Sequence, residues 1–367
     1  MPMYENHQIG KMVAHIGKYL KKYYIHPSIQ TQHLSGAGEI YLLEKKLSSF
    51  YQKKHAICFN NATTALHALC LALDLKGCDI LTSPITWGGS LSPFLLHSNR
   101  FRFSATNSDS LNISTIDLPN ALTSKTKAVL SVDFGGTPAD SKAIKKFCTF
   151  HNLLYISDSA QSFGAVRENR QAGFYADAVV LSFSPQKPIT TVEGGCVLTD
   201  SDMIYEKLLW CSQHPSRQKA ALGISKYNEY APLNGRMHPL SAILLHDMLN
   251  TMIANLRDYQ ERCFCSIQKL ARANFIELPT HIKSASDSTY FNMNLKLKES
   301  MSIQQVNKFL RENNTMFYAL DSDVRFIPSD PFFKSQFRNK YSLTSALRLQ
   351  MKTFTDEKRI RLCCHFE

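Results

Sequence analysis

Leu181-Ser-Phe-Ser-Pro-Gln-Lys187-Pro-Ile-Thr-Thr-Val-Glu-Gly-Gly195 decides the reading of this chain. An apolar run over 178–183 ends in Ser-Phe-Ser, a lysine follows, and Glu-Gly-Gly leads into a second apolar run over 196–199. The pattern predicts strand, loop, strand. A lysine just past the C-terminal edge of a sheet sits where α/β proteins bind ligands. In a desolvated pocket such an amine loses proton affinity and can act as a Schiff-base nucleophile. An ordinary loop lysine is the plain alternative, and the neighbouring segments decide between the two.

Working outward, strands and helices alternate from residue 36 to about 200. Strands are expected at 55–60, 79–82, 101–104, 128–134 and 153–158, besides the two above. Helices are expected at 39–51, where Leu42, Leu43, Leu47 and Phe50 recur at helical spacing, and at 63–75, 140–152 and 202–212. Thr63 or Asn61 is the candidate N-cap of the second helix. Short apolar strands separated by helices argue for a largely parallel sheet covered on both faces. Residues 237–273 form one long helical pattern that links two units. Beyond it the chain reads as strand (290–297), helix (302–313), a loop holding Pro328 and Pro331, and a closing helix from Asp356. The expected division is a large unit over 1–240 with an N-terminal helical arm, and a small α+β unit over 241–367.

Bulk properties set limits. The 367 residues suffice for a substantial core without staples. Hydrophobic residues at 44% and charged residues at 20% are those of an ordinary globular protein. No apolar run reaches the ~18 residues that span a bilayer. The polar, lysine-rich start up to Tyr24 lacks a signal core, so a cytoplasmic setting with no membrane partner is expected. The ten cysteines lack paired zinc half-site spacing. They are read as buried reduced thiols, and no metal is expected. The formal charge of +12 fits either a solvated basic face or a field that draws anionic small substrates. The Lys18, Lys21 and Lys22 cluster brings no nucleic-acid-reading module with it, so no nucleic acid is expected as a partner.

Four further segments carry chemistry. Tyr155-Ile-Ser-Asp158-Ser-Ala-Gln161-Ser-Phe-Gly164-Ala165 ends a buried-looking strand in an aspartate. That residue either caps the next helix or holds a heteroaromatic nitrogen protonated. Phe59-Asn-Asn61-Ala62-Thr63-Thr64 is a strand-to-helix turn of small residues, where free N–H groups and the helix dipole favour an anion. His67 falls inside that helix, where packing is its ordinary role. Ser83-Pro-Ile-Thr86-Trp87-Gly-Gly-Ser90 offers an indole that either packs in a core or lies flat on an aromatic ligand. Asn234-Gly235 is primarily a turn signal before the long helix.

Taken together and in this order, the five segments resemble the DegT/StrS-like family of pyridoxal-phosphate-dependent sugar aminotransferases. The resemblance implies the fold-type-I architecture, an α/β fold. A large domain would carry a mostly parallel mixed sheet flanked by helices, with a small C-terminal α+β domain. It also implies pyridoxal 5'-phosphate as cofactor. Lys187 matches the lysine that binds it covalently and Asp158 the aspartate facing its ring nitrogen. Gln161 matches the residue beside its 3-hydroxyl, and Ser182, Ala62 and Thr63 match the phosphate contacts. Trp87 matches the aromatic that stacks on the ring. Asn234 matches an asparagine that reaches the neighbouring subunit's phosphate, which implies a homodimer. The implied activity is transfer of an amino group from glutamate or glutamine to a keto sugar, typically nucleotide-linked, in amino-sugar or surface polysaccharide biosynthesis. Some relatives are sugar dehydratases with histidine in place of the lysine; Lys187 favours amino transfer. A non-catalytic regulatory protein on the same fold is the other alternative. The chain departs from the family at Ala62, where glycine is usual, and at Val192, also usually glycine. A positive φ at Ala62 would be strained.

Overall fold

The computed structural model describes residues 6–25, 34–223, 233–315, 317–354 and 357–364. The first strands are β1 His55–Phe59, β2 Asp79–Thr82, β3 Arg100–Phe103, β4 Thr126–Val132 and β5 Leu154–Asp158. A small hairpin, β6 Val166–Arg167 and β7 Arg170–Gln171, precedes β8 Ala178–Ser182 and β9 Gly195–Thr199. The last four strands are β10 Asn294–Lys296, β11 Phe317–Asp321, β12 Tyr341–Leu343 and β13 Arg359–Cys364.

Eight strands make one sheet in the order β1-β9-β8-β5-β4-β2-β3-β12. Only β9 runs against its neighbours, pairing antiparallel with β8 and β1. All other neighbours are parallel. The mostly parallel, helix-covered sheet of the expected fold class is therefore what the chain forms. Alternation along the strands divides the buried side chains between two faces. Leu81, Val129, Tyr155, Val179 and Leu181 fill one core, and Ile80, Leu130, Ile156 and Val180 fill the other. Parallel strands need crossovers, and these supply the covering helices. Helix Glu39–Tyr51 buries Ile40, Leu43, Leu47 and Tyr51, one stripe at helical spacing, into the first core.

Helix Pro239–Arg272 joins two cores. Ala242, Leu245, Met248, Leu249, Met252 and Leu256 belong to the first core. Cys263, Ile267 and Leu270 belong to a third, built with β10, β13 and β11 in a separate three-stranded sheet.

Three expectations for the C-terminal third are corrected. The strand expected over 290–297 is only Asn294–Lys296, because Tyr290 and Asn292 take left-handed φ of 56° and 48°. The closing helix is instead strand β13, between β10 and β11, with Ile360 and Leu362 buried at period two; Asp356 lies outside the described residues. The stretch read as a proline loop is built from helix Pro331–Phe337, β12 and helix Ser345–Thr353. Pro331 opens its helix at the position where a missing N–H costs nothing, and Asp330 caps it through Phe333 N at 2.8 Å. This stretch lies back on the main sheet. Ile327 N donates to Pro84 O at 2.8 Å, and Thr344 Oγ1 donates to Asp117 Oδ2 at 2.6 Å. Phe326, Phe333 and Leu347 enter the second core.

A buried ion pair ties helix Glu39–Tyr51 to helix Pro215–Leu222. Arg217 Nη2 meets Glu44 Oε2 at 2.7 Å and Oε1 at 2.9 Å, with both side chains almost fully buried. Glu44 Oε1 also accepts from Cys58 N at 2.7 Å. Removing one partner strands the other charge. Glu44→Ala should therefore lower stability by about 3–5 kcal/mol in urea unfolding; a loss under about 1 kcal/mol would mean that the guanidinium finds water.

Candidate active site

The site lies past the C-terminal ends of the parallel strands. Register sets its geometry. Val132, Asp158 and Val180 stand level on β4, β5 and β8. Further along, Ser182, Gly195 and Phe59 stand level on β8, β9 and β1. Asp158 therefore emerges in the middle of the sheet. Ser182 lies beside the turn that follows β1.

That turn is built for an anion. Asn61 is the N-cap of helix Ala62–Ala72, and its Oδ1 accepts from Thr64 N at 2.8 Å. Ala65 N bonds Asn61 O at 3.2 Å. The N–H groups of Ala62 and Thr63 therefore have no acceptor within the helix. Gly195 makes the close approach possible, since a Cβ there would lie 2.5 Å from Ala62 N. Neither Ala62 nor Val192 has a positive φ, so both departures fit the backbone without strain.

Asp158 is fully buried. Its Oδ2 accepts from Ser90 Oγ at 2.6 Å and its Oδ1 from Ala160 N at 3.1 Å. No helix directly follows it, so the capping reading reduces to this one bond within its own turn. Burial pushes its carboxyl above the usual range, while the Ser90 and Ala160 donors and Lys187 act against this. Burial pulls the Lys187 amine below the usual lysine range, and Asp158 acts against that in turn. Among the described residues no carboxylate lies within ion-pair distance of Nζ; its near neighbour is the Phe291 ring, 4.8 Å from Nζ to centroid. A buried carboxylate with no cation in contact and a desolvated amine across from it fit a flat cationic ring placed between them. The two free N–H groups nearby fit a phosphate.

Thr86, Ser90 and Asp158 form a chain of hydroxyls. Ser90 spends its one proton on Asp158, so at 2.8 Å Thr86 Oγ1 must donate to Ser90 Oγ. The turn between Thr86 and Ser90 carries Trp87, which is 78% exposed. A Cβ on Gly89 would lie 2.9 Å from both Thr63 Oγ1 and the Trp87 ring. Trp87 therefore borders the anion turn and leaves a ring face open. Gln161 Oε1 accepts from Gly135 N at 2.9 Å. Asp133 underpins that loop, accepting from Ser159 and Ser162 hydroxyls at 2.7 Å each and from Ala139 N at 2.8 Å. Burial pushes the Asp133 carboxyl up to about 6.

The structure brings Lys187, Asp158, Gln161, Ser182, Ala62, Thr63 and Trp87 to one edge of the sheet. Asn234 stays at the rim, exposed, its side chain bound by Arg236. Gly235 O accepts from Asn60 N at 2.8 Å, so Asn234 borders its own chain's turn. His67 packs edge-on against His97, with 4.8 Å between ring centroids. Sequence reasoning missed Phe291, Asp133 and the role of Ser90. Ser90 stood within a quoted segment, whereas Phe291 lies more than a hundred residues from Lys187 and gave no local signal. Cys58, Cys70 and Cys196 are buried and Cys211 half-buried, all free. Among the described residues no helix is long and apolar enough to cross a membrane, and no three His, Cys, Asp or Glu side chains gather to hold a metal.

This edge-on arrangement, on a sheet with one reversed strand, defines a fold-type-I transferase. The chain belongs to the DegT/DnrJ/EryC1/StrS aminotransferase family, whose pattern matches residues 21–354. It is 32% identical over 194 residues to the UDP-4-amino-4,6-dideoxy-N-acetyl-beta-L-altrosamine transaminase of Helicobacter pylori, covering 52% of each chain. It is 26% identical over 315 residues to the GDP-perosamine synthase of Vibrio cholerae, covering 84% of this chain and 81% of that one. The first of these matches spans about half of the relative's length. Among solved structures, an aminotransferase from Psychrobacter cryohalolentis superposes with a TM-score of 0.77 at 20% identity, over 99% of this chain and 93% of the other.

Two outcomes test the geometry. Gly195→Ala drives a Cβ into the anion turn, so pyridoxal phosphate affinity should fall at least tenfold in equilibrium titration, with pyridoxal lacking the phosphate much less affected. Reductive trapping of Lys187 by an aldehyde should rise with pH around a midpoint below that of surface lysines. Asp158→Asn should move that midpoint lower still, because the carboxylate that favours the charged amine is gone. A midpoint that rises in Asp158→Asn would contradict the placement of these two groups.

Proposed function

We propose that this protein is an aminotransferase that works with pyridoxal 5'-phosphate and moves an amino group from glutamate or glutamine to a keto sugar, a nucleotide-linked one. The observation that carries the reading is the pairing of the buried Asp158 carboxylate with the desolvated Lys187 amine, beside a helix start with two unclaimed N–H groups. When bound, the cofactor would supply an electron sink beside the nitrogen being transferred.

The protein's own groups would do the rest. Asp158 would hold a proton on the ring nitrogen, fixed in place by Ser90. Ser182, Thr63 and the N–H groups of Ala62 and Thr63 would hold the phosphate. Gln161 would lie beside the 3-hydroxyl, and Trp87 would cover one ring face. Lys187 would bind the cofactor covalently. Once displaced by the donor amine it would take the proton from the donor's Cα and return it at the far side of the transferred nitrogen, as general base and then acid. Burial lowers its proton affinity, which favours the free amine that this exchange needs.

The names of the two curated relatives support a nucleotide-linked sugar as acceptor. The net charge of +12 supports an anionic one. Amino-sugar synthesis for a surface polysaccharide, in a cytoplasmic setting, belongs to the same reading. So does a homodimer in which Asn234, exposed at the rim, reaches the phosphate held by the partner subunit. The division at residue 240 is proposed in the same terms. The separate third core supports it, and the stretch 326–354 would add a C-terminal contribution to the large unit.

The full-length protein should turn yellow with pyridoxal phosphate, and borohydride should fix the label on the Lys187 peptide. Glutamate should then bleach the band, and one keto sugar from a nucleotide-linked panel should gain the mass of an amino group. Lys187→Ala should slow that transfer by about 10²–10⁴-fold. A protein that stays colourless at saturating cofactor would end this reading.

A further inference from the structure

The segment 288–292 reaches the site from beyond the long helix and is fixed there at several points. Thr289 N donates to Gly136 O at 2.9 Å, and Thr289 Oγ1 donates to Gln161 O at 2.6 Å. Tyr290 N donates to Ser288 Oγ at 2.9 Å. Gly136 has φ +82°, and a Cβ there would lie 2.0 Å from Thr289 Oγ1, so the contact requires glycine.

Both neighbours of Phe291 are left-handed, Tyr290 at φ 56° and Asn292 at φ 48°. A bulky aromatic residue in that region is strained, and such strain persists only where the surroundings over-determine it. The product of this bend is the Phe291 ring, placed 4.8 Å from its centroid to Lys187 Nζ. Phe291 is half-buried and belongs to none of the three apolar cores. Core filling therefore does not account for it.

We propose that Phe291 is a positioning residue for Lys187, its ring face holding the ammonium form of the amine over the site whenever that amine is not covalently engaged. The charged group that acts on Nζ is Asp158 on β5, whose carboxylate is held instead by Ser90 Oγ at 2.6 Å and Ala160 N at 3.1 Å. A lysine has a long flexible stem and a compact charge. An aromatic face attracts that charge within about 6 Å of its centroid. Unlike a contact carboxylate, it offers no site to which the proton can be handed. The amine is kept close without being locked as an ion pair. The consequence for amino transfer rests on the function proposed above; the contact itself does not.

The ring favours the charged amine, so its removal lowers the amine's proton affinity. In the full-length protein without added cofactor, competitive acetylation of amines across pH, read on the Lys187 peptide by mass spectrometry, gives the midpoint directly. Phe291→Leu should lower it by about half a unit to one unit, and Phe291→Trp should hold or raise it. Should Phe291→Leu melt early, Phe291→Met serves as the non-aromatic comparator. Equal midpoints in all variants, or equal shifts for Leu and Trp, overturn the proposal. The order Trp, Phe, Leu in a protein that takes no pyridoxal phosphate would uphold the contact and sink the aminotransferase reading. Loss of that order in a protein that still transfers amino groups would do the reverse.

Discussion

A carboxylate removed from water on every side, with no cation in contact, is the feature on which the rest of this molecule turns. Asp158 sits at the end of a central strand, held by one serine hydroxyl and one backbone N–H. Burial without a charged partner is unfavourable, and its carboxyl is pushed up accordingly. Across from it, Lys187 has lost water of its own. The buried carboxylate is a stored electrostatic demand that a flat cation would satisfy, and a cation nearby would further favour the uncharged, nucleophilic amine. Perturbed pairs of this kind gather at working sites more often than in ordinary structural networks.

The parallel sheet is what allows that arrangement. Parallel strands deliver all their C-terminal ends to one edge, so residues distant in sequence become neighbours there. The single reversed strand, β9, returns the chain from the lysine loop and brings Gly195 against the Ala62 amide. One glycine thereby joins the lysine loop to the anion turn. The hydroxyl chain from Thr86 through Ser90 to Asp158 joins the aromatic turn to the carboxylate in the same economical way. Three loops thus constrain one another at this edge.

The C-terminal third contributes more to this edge than its helix-and-strand pattern announces. Residues 288–292 dock on Gly136 and Gln161, and the stretch 326–354 returns to the main sheet through β12. The lysine is therefore enclosed by chain from both sides of the long helix.

The amino-acid sequence by itself determined seven of the eight strands of the large sheet, all but β12. Those strands are short apolar runs bounded by turns, and helix 39–51 was legible too, although its buried stripe is Ile40, Leu43, Leu47 and Tyr51 while Leu42 faces out. It also marked Asp158 at the end of its strand and Asn61 at the start of its helix, where local pattern places them. Apart from helix Ile303–Glu312, which its pattern announced, tertiary structure decided the C-terminal third. Arg359–Cys364 is a strand because β10 and β11 lie on either side of it, and 290–292 bends because Gly136 and Gln161 hold it. It alone placed Phe291 beneath the lysine and made Asp133 the support of the Gln161 loop. Those contacts join residues tens to over a hundred positions apart, and no local preference encodes a partner that only folding supplies.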